Sequence, residues 1–281
     1  MKRLMSKKEF KDFYKTYSKN VNRFDEAYFW KLSDSIIKNI LLKEIKNSQN
    51  LRILDAGGGT GRWSIILSEK IKAKYLIYDL SEDMLRVAKS NIIKADKKHL
   101  IKVKNGDLEN MSNIEDNIFD YAFSIYNVFS FVTNINKALS EMYRVLKPGG
   151  KIMIMGQGKF NAISSKISIS YSYGDDLDLV VSKNKVKWKD SVPMLNVFSK
   201  ESLENYLRNA GFIVLRSYGI PIFTVPGNED FTFPYKKMSA ISRALENKKF
   251  FNKVLRTEMK FNNIPSLVNR GMNIMSIGIK K

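Results

Sequence analysis

The sequence predicts an α/β protein in which helices cover both faces of a mainly parallel β-sheet. From residue 51 onwards, short apolar runs alternate with amphipathic segments of helical period, which is typical of βαβ units. The first of these runs ends at an aspartate and is followed by a glycine cluster, as expected where a strand enters a ligand-binding loop. The chain has 281 residues, 44% of them apolar, which is enough to bury a large core.

The composition excludes several classes of chemistry. The chain has no cysteine and one histidine, His99, so disulfides, cysteine-ligated metals and thiol nucleophiles are excluded and a histidine-based triad is disfavoured. No apolar run approaches 18 residues, and the N-terminus lacks the apolar segment of a signal peptide. We therefore expect a cytoplasmic protein with no transmembrane segment, and a site that holds no metal.

The net charge is +20, and the excess of basic residues lies at the two ends of the chain. Residues 1–50 have 12 basic and 6 acidic side chains, and residues 236–281 have 11 and 2. A basic surface can attract nucleic acid or acidic membrane. Lysines heavily outnumber arginines, however, and a lysine-rich solvated surface explains the charge as well. We expect mainly solvated ends with at most weak, salt-sensitive affinity for RNA.

Two helices are predicted within residues 6–47, before the first strand. The first has an aromatic stripe at helical spacing, formed by Phe10, Phe13, Tyr14 and Tyr17. The second has an apolar stripe between Tyr28 and Ile45.

Seven strands are predicted after these helices, at Leu51–Asp55, Tyr75–Tyr78, Leu100–Val103, Phe119–Ile125, Lys151–Met155, Phe212–Tyr218 and Met272–Lys280. Helices are predicted between them, at Trp63–Lys70, Ser81–Asn91, Ile135–Leu146, Val197–Gly211 and Met238–Phe261. Ser81 and Ser199 are expected to cap two of these helices. Residues 156–196 break the alternation and are predicted to form a loop or hairpin insertion.

The strongest motif is LRILDAGGGTGR at residues 51–62, a strand that ends at Asp55 and continues into four glycines. Glycine is needed where the backbone takes positive φ or closely approaches a ligand. A dinucleotide fingerprint would place its third glycine at position 62, where this chain has Arg62. A phosphate loop would need Gly-Lys-Ser/Thr, which is absent.

Three aspartates lie at or just after successive strand ends, where the crevice of a parallel sheet opens. They are Asp55, Asp79 and Asp107. Each alone could be a loop cap. Together they provide carboxylates for hydroxyl, amine and ammonium groups, in a site that has no signal for phosphate binding.

The arrangement resembles motif I of the class I S-adenosylmethionine-dependent methyltransferases, and the resemblance extends in order over residues 50 to 155. Further similar segments are Tyr78-Asp79-Leu80-Ser81, Ser81-Glu82-Asp83-Met84-Leu85, Gly106-Asp107-Leu108, Phe119-Asp120-Tyr121 through Asn127, Arg144-Val145-Leu146-Lys147-Pro148-Gly149-Gly150 and Ala210-Gly211-Phe212. The set resembles the small-molecule branch that includes the ubiquinone and menaquinone enzymes.

This resemblance implies a Rossmann-like sheet of seven mostly parallel strands with an antiparallel last strand, and S-adenosylmethionine as cofactor. It implies cofactor-binding roles for Asp55, Gly57, Gly59, Gly61, Asp79, Leu80, Met84, Asp107, Leu108 and Tyr17. Asp79 would take the ribose hydroxyls, Met84 would pack on the adenine, and Asp107 would meet the adenine amino group. Tyr126 and Asn127 would orient the methyl acceptor, whereas His99 precedes a strand and is expected at the opposite surface.

The resemblance also suggests a domain division. Residues 1–48 would form an N-terminal helical lid, and residues 49–281 a methyltransferase domain with insertions at about 156–196 and 235–262. Tyr14, Tyr17 and Tyr28 are candidates to close over the cofactor, and Tyr171, Tyr173 and Trp188 to cover the acceptor.

Three functions remain open from the sequence. The first is methyl transfer to an O, N or C atom of a small molecule. The second is an RNA or protein methyltransferase that uses the basic ends. The third is a binding protein that has kept the fold and lost catalysis, which the intact glycine loop and acids disfavour.

Overall fold

The computed structural model describes residues 7–17, 27–168, 175–189, 192–231 and 237–281. Its strands are β1 (Leu51–Ala56), β2 (Ala73–Asp79), β3 (Ile101–Asn105), β4 (Phe119–Ser124), β5 (Leu146–Gly158), β6 (Lys185–Val186), β7 (Leu195–Phe198), β8 (Phe212–Ile220) and β9 (Asn273–Lys280). Its helices are α1 (Lys7–Tyr17), α2 (Tyr28–Glu44), α3 (Arg62–Ser68), α4 (Glu82–Lys94), α5 (Val128–Phe131), α6 (Ile135–Val145), α7 (Lys159–Ser168), α8 (Asp175–Lys183), α9 (Lys200–Asn209), α10 (Ala240–Leu245), α11 (Lys248–Phe261) and α12 (Pro265–Val268).

The sheet has the predicted parallel centre and the predicted antiparallel last strand. The first five strands are parallel, in the order β3-β2-β1-β4-β5. The last strand, β9, runs antiparallel between β5 and β8. Since β8 is therefore parallel to β5, the carboxyl ends of β1 to β5 and of β8 lie at the same edge of the sheet.

The described residues form nine strands in one sheet, so the expected number of seven is wrong. The two additional strands, β6 and β7, come from the region between β5 and α9. At the end of β5, Gln157 pairs with Asn273 of β9 and with Val197 of β7. β7 therefore lies on the β4 side, where β4 has already ended at Ser124 and leaves the edge of β5 unpaired.

The insertion has more regular structure than the predicted loop or hairpin. The hairpin is present as β6 and β7, but α7 and α8 precede it. These elements enclose a small core of their own, formed by Ala162, Val180, Val186, Leu195 and Val197. The helices escaped the sequence analysis because this region is rich in Ser, Asp and Lys and shows only a weak apolar period.

The two N-terminal helices differ in how they pack. The apolar stripe of α2 is fully buried in the main core, with Leu32, Ile36 and Ile40 inaccessible to solvent. α1 instead lies against α4 and contacts α5 through aromatic rings, with the Phe10 ring 5.5 Å and the Tyr14 ring 6.0 Å from the ring of Phe131. α1 thus spans elements on both sides of the carboxyl edge of the sheet.

Among the described residues, no helix combines the length and the apolar character needed to cross a membrane.

Candidate cofactor-binding site

The glycine loop between β1 and α3 has a left-handed backbone conformation that residues with a side chain adopt only at an energetic cost. Gly57, Gly59 and Gly61 have φ angles of 71°, 52° and 74°. The Gly57 N–H donates to the carbonyl of Tyr78, 2.7 Å away, which ties the loop to the end of β2. A Cβ on Gly59 would lie 3.0 Å from the terminal methyl of Met84. The loop is thus held close to α4 without side chains of its own.

Asp79, at the end of β2, is the carboxylate that the loop surrounds. One of its oxygens accepts the Gly59 N–H at 2.9 Å, and the other accepts the Ser81 N–H at 2.8 Å. Burial raises the pKa of Asp79, and the two N–H donors oppose that rise. A carboxylate offers about four acceptor sites, so each oxygen can still accept one further hydroxyl.

Asp55, at the end of β1, is a buried carboxylate directly behind the loop. It is 2% exposed and accepts a hydrogen bond of 2.7 Å from the Ser64 hydroxyl of α3. Burial, reinforced by the nearby charge of Asp79, raises its pKa to about 7, although the Ser64 bond acts in the opposite direction. Asp55 therefore gains or loses its proton near neutral pH, where a cationic ligand would favour the ionised form.

The loop after β3 and the start of α4 provide the apolar side of the site. Met84 and Leu108 are both buried, and Leu80 is half-buried. Asp107 is half-buried and accepts the N–H of Glu109 at 2.9 Å, which fixes the turn that carries it.

Tyr126 follows β4 in a left-handed backbone conformation, with φ 62°. Its hydroxyl donates to Asp34 on α2, and Asp34 also forms an ion pair with Arg62 at the start of α3. Burial and the Asp34 charge hold the pKa of Tyr126 well above its usual range, so the phenol keeps its proton at neutral pH. These three residues join α2, the glycine loop and the end of β4.

Aromatic rings surround this junction. The Trp30 and Trp63 rings lie 6.3 and 6.4 Å from the ring of Tyr126. Beside Tyr126, the side-chain oxygen of Asn127 is buried and has no hydrogen-bond partner among the described residues. A buried acceptor of this kind is costly unless a ligand completes it.

The structure brings together the sequence-predicted residues around the carboxyl edge, but it does not describe the side chain of Tyr17. Tyr171 and Tyr173 also lie outside the described residues. Trp188 is half-buried and packs against the small core of the insertion. His99 is exposed and precedes β3, at the amino-terminal edge and away from the site.

Sequence reasoning missed Asp34 and Trp30 on α2 and gave no role to Arg62. Arg62 carried a signal, because it stands where a dinucleotide site would require glycine. Asp34 carried none, since a single acid between the apolar positions of an amphipathic helix is ordinary.

The chemistry of these residues suits S-adenosylmethionine. The glycines bring bare backbone to the end of β1, Asp79 has spare acceptor capacity for hydroxyls, and the Asn127 oxygen has no donor among the described residues. The buried Asp55 supplies negative charge for an ammonium or sulfonium group. The loop has no arrangement of cations suited to a phosphate, which disfavours a nucleotide.

Comparisons with known proteins agree with this assignment. Residues 53–150 match the model of the methyltransferase domain family. A demethylmenaquinone methyltransferase of Leptospira interrogans is 32% identical over 151 residues, which are 51% of this chain and 59% of that protein. A ubiquinone/menaquinone biosynthesis C-methyltransferase of Rickettsia typhi is 30% identical over 190 residues, which are 62% of this chain and 73% of that protein.

A solved S-adenosylmethionine-dependent methyltransferase of Thermotoga maritima has the same fold, with a TM-score of 0.56 and 22% identity. The alignment covers 97% of this chain and 99% of that one. The chain thus belongs to the class I S-adenosylmethionine-dependent methyltransferases, on the branch of the ubiquinone and menaquinone enzymes. The enzyme class and the cofactor predicted from the motifs are confirmed.

The pKa of Asp55 leads to a prediction about pH. Because S-adenosylmethionine is cationic, it should bind more tightly when Asp55 is ionised, so affinity should rise by up to about tenfold between pH 6 and pH 8. Calorimetric titrations at several pH values measure this. The amino group of the ligand also titrates near this range, so Asp55→Asn is the control: its affinity should lack the rise. Parallel pH profiles in the two proteins would contradict the prediction.

The same shift has a consequence for stability. The folded protein holds the pKa of Asp55 above its ordinary value. As the pH rises, Asp55 therefore ionises in the unfolded chain before it ionises in the folded protein, and the free energy of unfolding falls between about pH 4 and pH 7. Asp55→Asn should therefore unfold at higher denaturant concentration than the wild type at pH 8, and the gain should be smaller at pH 5. Urea titrations at both pH values test the sign.

Proposed function

We propose that this protein transfers the methyl group of S-adenosylmethionine to a ring carbon of a reduced quinone. The observation that carries the proposal is the similarity to the Rickettsia typhi C-methyltransferase over 62% of the chain. The aromatic character of the site supports it, because a flat apolar ring packs well against aromatic side chains.

The acceptor would bind at the carboxyl end of β4, between two groups of aromatic residues. The first group lies at the junction of α2, α3 and β4 and comprises Trp30, Trp63 and Tyr126. The second lies at the contact of α1 with α5 and comprises Phe10, Tyr14 and Phe131. Closing these groups around the acceptor would exclude water from the reacting atoms.

S-adenosylmethionine supplies an electrophilic methyl group whose leaving group departs as a neutral thioether. The chain's own task is then alignment, which can contribute a large part of the rate. Asp79 would hold the ribose, Met84 and Leu108 would hold the adenine, and the glycine loop would let the cofactor approach the backbone.

Tyr126 and Asn127 would hold the acceptor. The Asn127 oxygen, which is buried and has no hydrogen-bond partner among the described residues, can accept a hydrogen bond from a hydroxyl of the reduced ring. The Tyr126 oxygen can do the same while its own proton is donated to Asp34. A proton released from the acceptor hydroxyl would pass to Asp34 through Tyr126, which leaves an electron-rich ring carbon to attack the methyl group as the bond from methyl to sulfur breaks. The ring carbon would then lose its own hydrogen to solvent as a proton, which restores the aromatic ring, and the acceptor oxygen would take a proton back from Asp34 through Tyr126.

The proposal is tested by incubating the protein with labelled S-adenosylmethionine and short-chain naphthohydroquinone and benzohydroquinone acceptors lacking the ring methyl group. We expect label on a ring carbon, identified by NMR of the product. Label on oxygen would overturn C-methylation. Label in bulk RNA or protein, with none in the quinols, would favour the alternative of a macromolecular acceptor, which the names of the relatives do not support.

α1 supports a further prediction about the lid. Because α1 packs on α5 by aromatic contacts and is not part of the main core, deleting residues 1–20 should reduce turnover by about 10- to 100-fold through loss of alignment. The free energy of unfolding should change much less. Deletion of residues 1–6, which precede α1, is the matched control. Full turnover in the longer deletion would mean that α1 only packs.

A further inference from the structure

The outward face of α11 is a strip of positive charge. Its basic side chains are all exposed, at Lys248, Lys249, Lys253, Arg256 and Lys260. The one acid of the helix, Glu258, is fully buried and cannot neutralise this face. The apolar side of the helix, which includes Val254 and Leu255, packs against the main core. α11 is therefore a basic amphipathic helix whose cations face solvent.

Beside α11, the loop of residues 221–231 exposes apolar side chains. Val225 is 58% exposed, Phe231 45% and Phe223 42%. Large apolar groups exposed together commonly mark an interaction site. The ring of Phe223 lies 5.8 Å from that of Phe261 at the end of α11, the Lys260 ammonium lies 5.3 Å from the Phe261 ring, and the Arg270 guanidinium lies 5.9 Å from the Phe223 ring. The loop and the C-terminal end of α11 therefore present apolar area and positive charge together.

Two fully buried carboxylates hold this loop in place. Glu258 accepts the N–H groups of Ile222, Phe223 and Thr224 at 2.8 to 3.0 Å. Asp230 accepts the Gly227 N–H at 2.9 Å. Backbone hydrogen bonds to buried charges are among the stronger ones in proteins. The exposed apolar side chains are thus carried by a fixed loop, which is bonded directly to α11.

The loop also borders the proposed acceptor site. It follows β8, whose carboxyl end lies at the same edge as those of β1 to β5. The ring of Phe231 lies 5.7 Å from that of Trp30, and the Trp30 indole N–H donates to the carbonyl of Asp230 at 2.8 Å. Trp30 in turn contacts Tyr126. A molecule bound at Phe231 would therefore be separated from Tyr126 only by the ring of Trp30.

We propose that the exposed face of α11 and the loop of residues 221–231 form a docking surface for a bilayer that contains anionic lipid. The charge is complementary to lipid phosphates, and the exposed rings suit the interfacial region, where a basic helix with apolar neighbours binds. The meaning of its place beside the acceptor site rests on the proposed function, because an acceptor dissolved in lipid would then have a short path to the enzyme.

Binding is measured by sedimentation with vesicles of phosphatidylcholine alone and with added phosphatidylglycerol, without cofactor or acceptor. We expect binding only to the anionic vesicles, weakened by raised salt. Lys253→Gln, Arg256→Gln and Lys260→Gln together should weaken it by about 100-fold. Phe223→Ser with Val225→Ser should also weaken it. The matched control neutralises three exposed lysines on and after α4, Lys89, Lys94 and Lys98.

Far-ultraviolet circular dichroism establishes that each variant is folded. Several outcomes would overturn the proposal: no binding of the wild-type protein to anionic vesicles, unchanged binding in the α11 or the loop variant, or equal loss in the α4 control. Tighter binding to bulk RNA than to vesicles, lost in the α11 variant, would reassign the surface to nucleic acid. Because no acceptor is present, failure here is distinguishable from failure of the methylation assay.

Discussion

Replacing Gly57 by valine should abolish binding of S-adenosylmethionine, with a loss of affinity of more than about 100-fold. Gly57 has φ 71°, which costs a side-chain-bearing residue about 1–3 kcal/mol. Its Cβ would also lie 2.3 Å from a methyl group of Val128 on α5. The sequence predicts a clash chiefly with the ligand, and the structure adds a clash within the protein. Calorimetry on the folded variant measures the affinity.

Two controls separate these causes. Gly149 also has positive φ, at 76°, but a Cβ there would meet nothing within 4 Å, so Gly149→Val should lose some stability and bind normally. Gly57→Ala combined with Val128→Ala relieves most of the internal clash, because the nearest remaining atom, the Cβ of residue 128, lies 3.1 Å from the added Cβ. If the double variant still fails to bind, the space at Gly57 belongs to the cofactor. Near-normal affinity in Gly57→Val itself would contradict the assignment of the loop.

The cofactor side of the site could be predicted from sequence because local rules determine it. A strand, a glycine loop and a helix are consecutive in the chain, and the carboxyl ends of parallel strands must meet at one edge. Asp55 and Asp79 are therefore placed by the period of the sequence alone. The capping serines follow the same logic: the hydroxyl of Ser81 accepts the Met84 N–H at 3.3 Å, and Ser199 caps α9 in the same way.

The acceptor side could not be predicted because long-range packing determines it. Tyr126 and Asp34 are 92 positions apart, and Arg62 and Asp34 are 28 apart, so no periodic pattern links them. Their contact requires α2 to pack beside α3 and the end of β4. The additional strands have a similar cause: β7 can pair with β5 only because β4 ends four residues before β5 does.

On the cofactor side of the site, Asp79 has a structural role before any ligand binds. Its oxygens accept the N–H groups of Gly59 and Ser81, so the carboxylate joins the glycine loop to the start of α4. A ligand that binds to Asp79 therefore enters a site in which the glycine loop and the start of α4 are already held in position. Such preorganisation reduces the entropy lost on binding.

Asp79→Ala should accordingly weaken S-adenosylmethionine binding by roughly 10- to 150-fold. Hydrogen bonds to a charged acceptor contribute about 1.5–3 kcal/mol, and about 1.4 kcal/mol corresponds to tenfold in affinity. Asp79→Asn, which keeps one acceptor oxygen, should give an intermediate affinity. Asp83→Ala is the matched control, because Asp83 forms an ion pair with the exposed Arg86 of the same helix, and its loss should leave affinity unchanged. If calorimetry finds normal affinity in a folded Asp79→Ala, Asp79 does not hold the ribose, and its role is confined to the two backbone bonds it makes in the free protein.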